Sequence, residues 1–323
     1  MWGNKTGMNA PGTKIRNAAT AILQRAADNI GRIILGKDDQ IRLALTCLVA
    51  RGHLLIEDLP GVGKTTLAHA IAQVMGLEFQ RIQFTSDLLP ADVLGVAVYD
   101  RERSVFEFHQ GPIFSNFILA DEVNRATPKT QSALLEAMEE YQVTVDGETR
   151  DLPQPFFVIA TQNPVHQIGT YALPESQLDR FLMRLHLGFP DRQAERELLQ
   201  GEERRDMIEH IKPVLDGGKL ISIQKQVVDI YVSDALLDYV QSLLEFTRNT
   251  PMFEFGLSPR GGIALLNSAR ALALIDGSEF VLPEHIKQVL PAVVNHRLVK
   301  TSDELEIKKQ TAADFISASV PVP

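Results

Sequence analysis

The chain of 323 residues contains a single cysteine, Cys47. An internal disulfide framework and a cysteine-rich zinc site are therefore excluded. The eight histidines are scattered, with no His-x-x-x-His pair, so a zinc held by protein ligands has no supporting pattern. No Gly-x-Ser-x-Gly element is present, which removes support for serine hydrolase chemistry. No run of 18 apolar residues occurs, so no segment reads as spanning a membrane. Basic residues are outnumbered, 32 Lys and Arg against 41 Asp and Glu, for a net charge of −9. That balance argues against a protein that coats nucleic acid, because affinity for a phosphate backbone accumulates from Lys and Arg; a local basic groove stays possible. Residues 1–13 are polar and Gly-containing, lack the apolar stretch of a secretory signal, and read as a disordered tail. What is present, 45% hydrophobic and 23% charged residues, is ordinary globular material. The expectation is a soluble, cytoplasmic protein of two domains.

Apolar spacing predicts helices over Lys14–Ile30 and Asp38–Arg51, with Ile41, Leu45, Leu48 and Val49 turned inward. The small buried hydrophobe is the expected role of Cys47. The pattern then alternates. Short apolar runs at His53–Glu57, Phe79–Phe84, Phe117–Ala120, Phe156–Thr161 and Arg184–Leu187 read as strands, separated by helical segments such as Thr65–Met75 and Thr127–Tyr141. Continuous apolar runs suit strands buried on both faces of a parallel sheet. Two hairpins interrupt the alternation, Val96–Tyr99 with Val105–Phe108 and Gln142–Val145 with Glu148–Leu152, the second turning on Asp146-Gly147. Beyond Gly188-Phe189-Pro190 the segments Ser233–Arg248, Ser258–Ile275 and Pro283–Leu298 read as helices. Ser233 and Ser258 serve as N-caps and Gly277 as a stop. Residues 201–220 read as a loop. The reading is an α/β core over residues 14–190 and a helical domain over 191–323.

The chemistry concentrates where strand turns into helix. Pro60-Gly61-Val62-Gly63-Lys64-Thr65-Thr66 supplies glycines for unusual dihedrals, a helix N-terminus for anions, a lysine for phosphates and a hydroxyl for Mg²⁺. The strict phosphate-loop pattern wants glycine where Asp58 stands. Phe117–Ala120 runs into Asp121-Glu122 at the strand's carboxyl end, where ligands bind in open α/β sheets. Asp121 would hold Mg²⁺ with Thr65, and Glu122 would polarise the attacking water. After the next buried strand, Asn163 would stand between the carboxylates and the terminal phosphate. Arg180 and Arg260 are available to stabilise phosphate charge, although spacing alone does not single them out.

The ordered set PGVGKT, ILADEVNRA, TQNP, LPESQLDRF and LSPRGG resembles the MoxR family of AAA+ ATPases, from about Ile34 to Leu298. The stretches Leu119–Glu139 and Thr161–Pro190 carry it most specifically. The resemblance implies a P-loop AAA+ core with a 51432-type parallel sheet and a C-terminal helical lid. It implies Walker A function for Lys64 and Thr65, Walker B for Asp121 and Glu122, and sensor 1 for Asn163. Arg180 matches the arginine finger that reaches a neighbouring subunit. Arg260 matches sensor 2, expected to serve its own subunit's nucleotide, and Gly36 and Lys37 match the segment beside adenine. The hairpins match the helix-2 and pre-sensor-1 insertions. The implied ligands are ATP and Mg²⁺, the implied assembly a hexameric ring. The implied partners are protein clients, including proteins with von Willebrand factor A domains. A nucleic-acid motor or loader, a metal-chelatase-like motor subunit and a small-molecule P-loop kinase share parts of the pattern. The acidic balance weighs against the first, and the adjacent Asp121-Glu122 pair favours water over another phosphoryl acceptor. Glu139-Glu140 and Glu202-Glu203 read as solvated helix faces. Phe106 and Phe108 are expected in the core ahead of contact with a client.

Overall fold

The computed structural model describes residues 11–163, 169–201, 204–301 and 310–322. Helix α1 (Pro11–Gly31) begins three residues before the expected Lys14, so residues 11–13 belong to the helix and not to the tail. Proline suits a first turn, where its missing N–H would have no acceptor. Residues 1–10 of the expected tail lie outside the described residues. Ala19, Leu23, Ala26 and Ile30 of α1 are buried at four- and three-residue spacing. In α2 (Asp38–Val49) Ile41, Leu45, Leu48, Val49 and Cys47 are all buried. Burial pushes the Cys47 thiol up, which keeps it unreactive at neutral pH.

The core then runs β1 (Leu54–Glu57), α3 (Lys64–Val74), β2 (Phe79–Gln83), α4 (Pro90–Leu94) and a hairpin of β3 (Gly95–Asp100) and β4 (Val105–Gln110). It continues with β5 (Phe117–Asp121), α5 (Pro128–Glu140), a hairpin of β6 (Gln142–Val145) and β7 (Glu148–Asp151), β8 (Phe157–Gln162), α6 (Glu175–Leu178) and β9 (Met183–Leu185). The five-stranded sheet has the order β2-β5-β8-β1-β9, and every pairing in it is parallel. Counting its strands alone this is the 51432 order. Leu54 stands opposite Ile159 and Met183, and Phe117 opposite Phe79 and Phe157. Leu54, Ile56, Leu119 and Ile159 face α1 to α3, while Leu55, Ile118 and Val158 face α4 and α5. Burial on both faces explains the unbroken apolar runs.

Asp146 and Gly147 both take positive φ, 53° and 80°, as a two-residue hairpin turn of matching twist requires. The first hairpin departs from expectation. Phe106 is 74% exposed and packs only on Tyr99 among aromatic rings, with centroids 5.2 Å apart. Phe108 is half-buried against Phe114 and beneath the Arg150 guanidinium. The hairpin is a two-stranded ribbon with too little mass behind it to bury both rings.

Helices α7 (Arg192–Gln200), α8 (Arg204–Glu209), α9 (Gly217–Gln226), α10 (Asp234–Asn249), α11 (Pro259–Ile275), α12 (Pro283–Val294) and a last helix, Ala312–Ser319, form the remainder. The expected loop over 201–220 carries α8 and the start of α9, with a connection over 210–216 between them, and Glu202 and Glu203 lie outside the described residues. Ser233 and Ser258 accept hydrogen bonds from Leu236 and Gly261 as N-caps, and Gly277 (φ 73°) follows α11. Leu265, Leu272 and Ile286 of this helical region share one buried cluster with Leu23 and Leu45. The Thr20 hydroxyl donates to Leu274 O (2.8 Å), and Arg42 pairs with Asp276. The first two helices thus join the lid to the core. No helix among the described residues is long and apolar enough to cross a membrane.

Candidate functional site

The carboxyl ends of β1, β5 and β8 lie along one edge of the sheet, and the predicted residues follow them there. After β1, Gly61 (φ 86°) and Gly63 (φ 93°) hold a conformation that side chains resist, and a Cβ at either would meet nothing within 4 Å. The loop is therefore open towards solvent. Helix α3 starts at Lys64 with no side-chain cap, so its first N–H groups have neither an intrahelical nor a side-chain acceptor. An uncapped helix N-terminus behind two left-handed glycines fits a phosphate. Lys64 is buried and its Nζ donates to Asp58 O (2.6 Å) and Leu59 O (3.2 Å). Burial lowers its pKa, opposed by the charges of Asp58, Asp121 and Glu122. Asp58, the departure from the strict pattern, uses its carboxylate to accept from Leu59 N (2.8 Å) and Gly188 N (2.6 Å). It ties the start of the loop to the connection between core and lid.

Glu122 takes φ 56°, an uncommon conformation for a residue with a side chain. Its N–H donates to the Thr161 hydroxyl (2.8 Å), which donates in turn to Asp121 Oδ1 (2.6 Å). Thr161 thereby fixes the Asp121 carboxylate and the Glu122 backbone from the neighbouring strand. Asn163 Nδ2 donates to Glu122 Oε1 (2.9 Å), and Lys64 Nζ stands 3.4 Å from Asn163 Oδ1. The amide occupies the expected place between lysine and carboxylate. Pro164 of the TQNP motif lies outside the described residues. Glu122 Oε2 accepts from Arg125 (2.8 Å) and Gln83 (3.1 Å), and the Arg125 hydrogen bond leads in holding its pKa below the ordinary glutamate value. Asp121 is buried and paired with Arg81 of β2 (2.6 Å). Thr65 and Asp121 supply hard oxygen donors suited to Mg²⁺, which takes a few protein ligands and completes its shell with phosphate and water.

Beside the loop a cavity of about 360 Å³ is lined by Ile33, Ile34, Lys37, Val62, Thr66 and Leu199, among others. Lys37 Nζ donates to Phe189 O (2.7 Å), and Gly36 (φ 66°) backs onto Asp191 and Ala194 at the start of α7. Its mostly apolar wall at the mouth of a phosphate loop suits a flat heterocycle. Pro60 is exposed in the loop outside this lining.

Arg180 and Arg260 stand elsewhere. Arg180 Nε lies 3.0 Å from Glu139, Arg260 Nη2 lies 3.0 Å from the same carboxylate, and Arg260 Nε lies 4.0 Å from Asp179. Leu182 N donates to His53 O (2.8 Å), which puts this group at the amino ends of β1 and β9. The length of β1, roughly 13 Å, separates it from the loop that follows β1's other end. Arg260 therefore stands at the opposite end of β1 from its own subunit's phosphate loop, whereas the resemblance implies a role at that nucleotide. Glu139 is likewise no merely solvated acid. Sequence reasoning missed Gln83, Arg125, Thr161 and Glu139; a hydroxyl at the end of an apolar strand was the one available signal, for Thr161.

The model of the ATPase family associated with various cellular activities matches residues 53–183, and that of the AAA lid domain residues 245–318. The chain is 47% identical to the uncharacterized protein YeaC of Bacillus subtilis, over 86% of this chain and 87% of that protein. It is 40% identical to the chaperone MoxR1 of Mycobacterium tuberculosis, over 93% of this chain and 82% of the relative. With protein MoxR of Methylorubrum extorquens it shares 30% identity over 91% and 93% of the two chains. A solved structure of a candidate ATPase from Cytophaga hutchinsonii superimposes with a TM-score of 0.86 at 36% identity, covering 94% of this chain and 95% of that one. With the sheet order, the lid and the phosphate loop all in agreement, the chain belongs to the MoxR family of AAA+ ATPases.

Proposed function

We propose that this ATPase hydrolyses ATP with Mg²⁺ at the edge formed by β1, β5 and β8, within a ring of like subunits, a hexamer. The ring remodels or activates protein clients in the cytoplasm, proteins with von Willebrand factor A domains among them. The observation that carries the reading is the line Lys64–Asn163–Glu122 across the mouth of the glycine loop. Gly61, Val62, Gly63 and the α3 N-terminus cradle the phosphates, with Pro60 shaping the loop's entry. Lys64 leaves the loop carbonyls to meet the terminal phosphate. Thr65 and Asp121 hold Mg²⁺, which supplies charge neutralisation on the phosphate oxygens. Glu122 draws a proton from the attacking water and Asn163 orients it. Gly36, Lys37 and Thr66 border the base. Arg180 and Arg260, sharing Glu139, act as a pair on the nucleotide of the neighbouring subunit, because their own phosphate loop is a strand length away. The division near residue 190, core over 14–190 and lid over 191–323, lets the lid swing about Gly188, which takes φ 62°. The name of the mycobacterial relative, a chaperone, supports a protein client.

Phosphate release from ATP, with no added acceptor, tests the reading. Lys64→Ala should abolish nucleotide binding. Glu122→Gln should bind ATP and lose turnover by about 10² or more. Near-normal hydrolysis by Glu122→Gln would sink its role as the base.

A further inference from the structure

Arg297 belongs to the lid, three residues past the end of α12, yet its side chain is only 5% exposed. A buried guanidinium is costly unless its donors are matched. Arg297 directs most of them to the segment 179–182 of the core. Nε donates to Asp179 Oδ1 (2.6 Å), Nη2 to Phe181 O (2.7 Å) and Asp179 O (3.3 Å), and Nη1 to Leu182 O (3.2 Å). Nη1 also donates to Val293 O of α12 and stands 2.9 Å from His296 Nε2. These core acceptors bracket Arg180. The neighbouring His296 stands 3.0 Å from Phe181 O, and burial together with the Arg297 charge keeps it neutral, so Arg297 is the cation at this spot. The other Asp179 oxygen faces Arg260.

The segment that bears Arg180 is a connection outside any long element. It joins the four-residue α6 to the three-residue β9, which lies at the edge of the sheet. We infer that Arg297 is a positioning residue for the arginine pair: its planar fork fixes the backbone on both sides of Arg180 and, through Asp179, sets Arg260. The lid's orientation is thereby written directly onto the groups that a subunit offers its neighbour. The assignment rests on the reading of Arg180 and Arg260 as acting on that neighbour. A lysine keeps the charge but offers one nitrogen in place of a rigid fork, so it cannot span these acceptors.

Arg297→Lys tests the inference. Fluorescent nucleotide binding should stay within about twofold, while kcat falls about 100-fold, the scale of a misplaced catalytic group. In mixed rings, Arg297→Lys should regain activity with Glu122→Gln, because a sound arginine segment then faces an intact phosphate loop. It should regain none with Arg180→Ala, because every segment is then defective. Recovery with Arg180→Ala but not with Glu122→Gln would place the effect at the subunit's own nucleotide and overturn the proposal, as would unchanged kcat. Should Arg297→Lys unfold, Asp179→Asn, which keeps the carbonyl contacts, is expected to give the same pattern. If Arg180→Ala and Glu122→Gln fail to recover in rings shown to mix, the neighbour reading falls and the clamp with it. If that pair recovers and the Arg297→Lys pattern is absent, the clamp alone is lost.

Discussion

Asp121 and Glu122, the proposed catalytic carboxylates, are already committed to other partners. Arg81 stands on Asp121, and Arg125 and Gln83 on Glu122. Asp121, the proposed metal ligand, therefore pairs with a cation of the chain itself. Arg81 is half-exposed, and such pairs are worth at most about 1 kcal/mol. Arg81→Gln should lower the Mg²⁺ concentration that half-saturates nucleotide binding, by no more than about fivefold. A higher requirement, read by fluorescent nucleotide titration in the hydrolysis-dead Glu122→Gln background, would show that Arg81 presents Asp121 to the metal instead. The glycines, Lys64 and the Asp121-Glu122 pair were legible because each sits in a short stretch of chain with one chemical use. Arg81, Gln83 and Arg125 were not, because polar residues at strand edges and turns are ordinary in sequence and acquire partners only when β2 lies beside β5.

At the scale of elements, His53 knits three of them together. Its Nε2 stands 3.0 Å from Met138 O of α5, and its Nδ1 accepts from Val158 N of β8 at 3.1 Å, just ahead of β1. The ring is thus held as the neutral form with Nε2 protonated, since a proton on Nδ1 would face an N–H. Burial lowers its pKa from 6.5 to about 4. The unfolded chain binds this proton first as pH falls. The stability His53 protects is therefore complete above pH about 6.5 and declines towards about 4, by on the order of 3 kcal/mol. His53→Gln should flatten that part of the stability–pH curve in chemical denaturation, and an unchanged slope would assign it to other groups. The two phenylalanine environments give a second check. Phe157→Ala removes a fully buried ring and should cost about 3–5 kcal/mol, whereas Phe106→Ala should cost less than about 0.5 kcal/mol. Equal losses in thermal melts would mean that the first hairpin buries its rings in solution. The hairpins themselves were readable from alternation and Asp146-Gly147. Which of their side chains are buried was not, because that depends on what packs behind the ribbon.

At the scale of the molecule, the proposed site is divided between two copies of the chain. The phosphate loop and the arginine pair occupy opposite ends of β1, so a monomer holds both halves and can use neither on the other. Specific ATPase activity should therefore fall on dilution, and Arg180→Ala should lower kcat by about 10³-fold at concentrations where the wild type is assembled. Arg260→Ala should resemble it. Activity independent of concentration down to dispersed monomer, followed by phosphate release alongside light scattering, would contradict a shared site. Added DNA should leave the rate unchanged, as the net charge of −9 leads one to expect.

The sequence by itself determined the strands of the sheet, most of the helices, the sheet's buried character and the family. Those follow from local spacing and from motifs whose residues are adjacent in the chain. The place of Arg260 at the far end of β1, the partnership of Glu139, and the hold of Arg297 on residues 179–182 were decided by the tertiary structure alone. A guanidinium more than a hundred residues from its acceptors in sequence has no signature until the lid is folded against the amino ends of β1 and β9. There, burial at 5% side-chain exposure turns most of its donors to those acceptors.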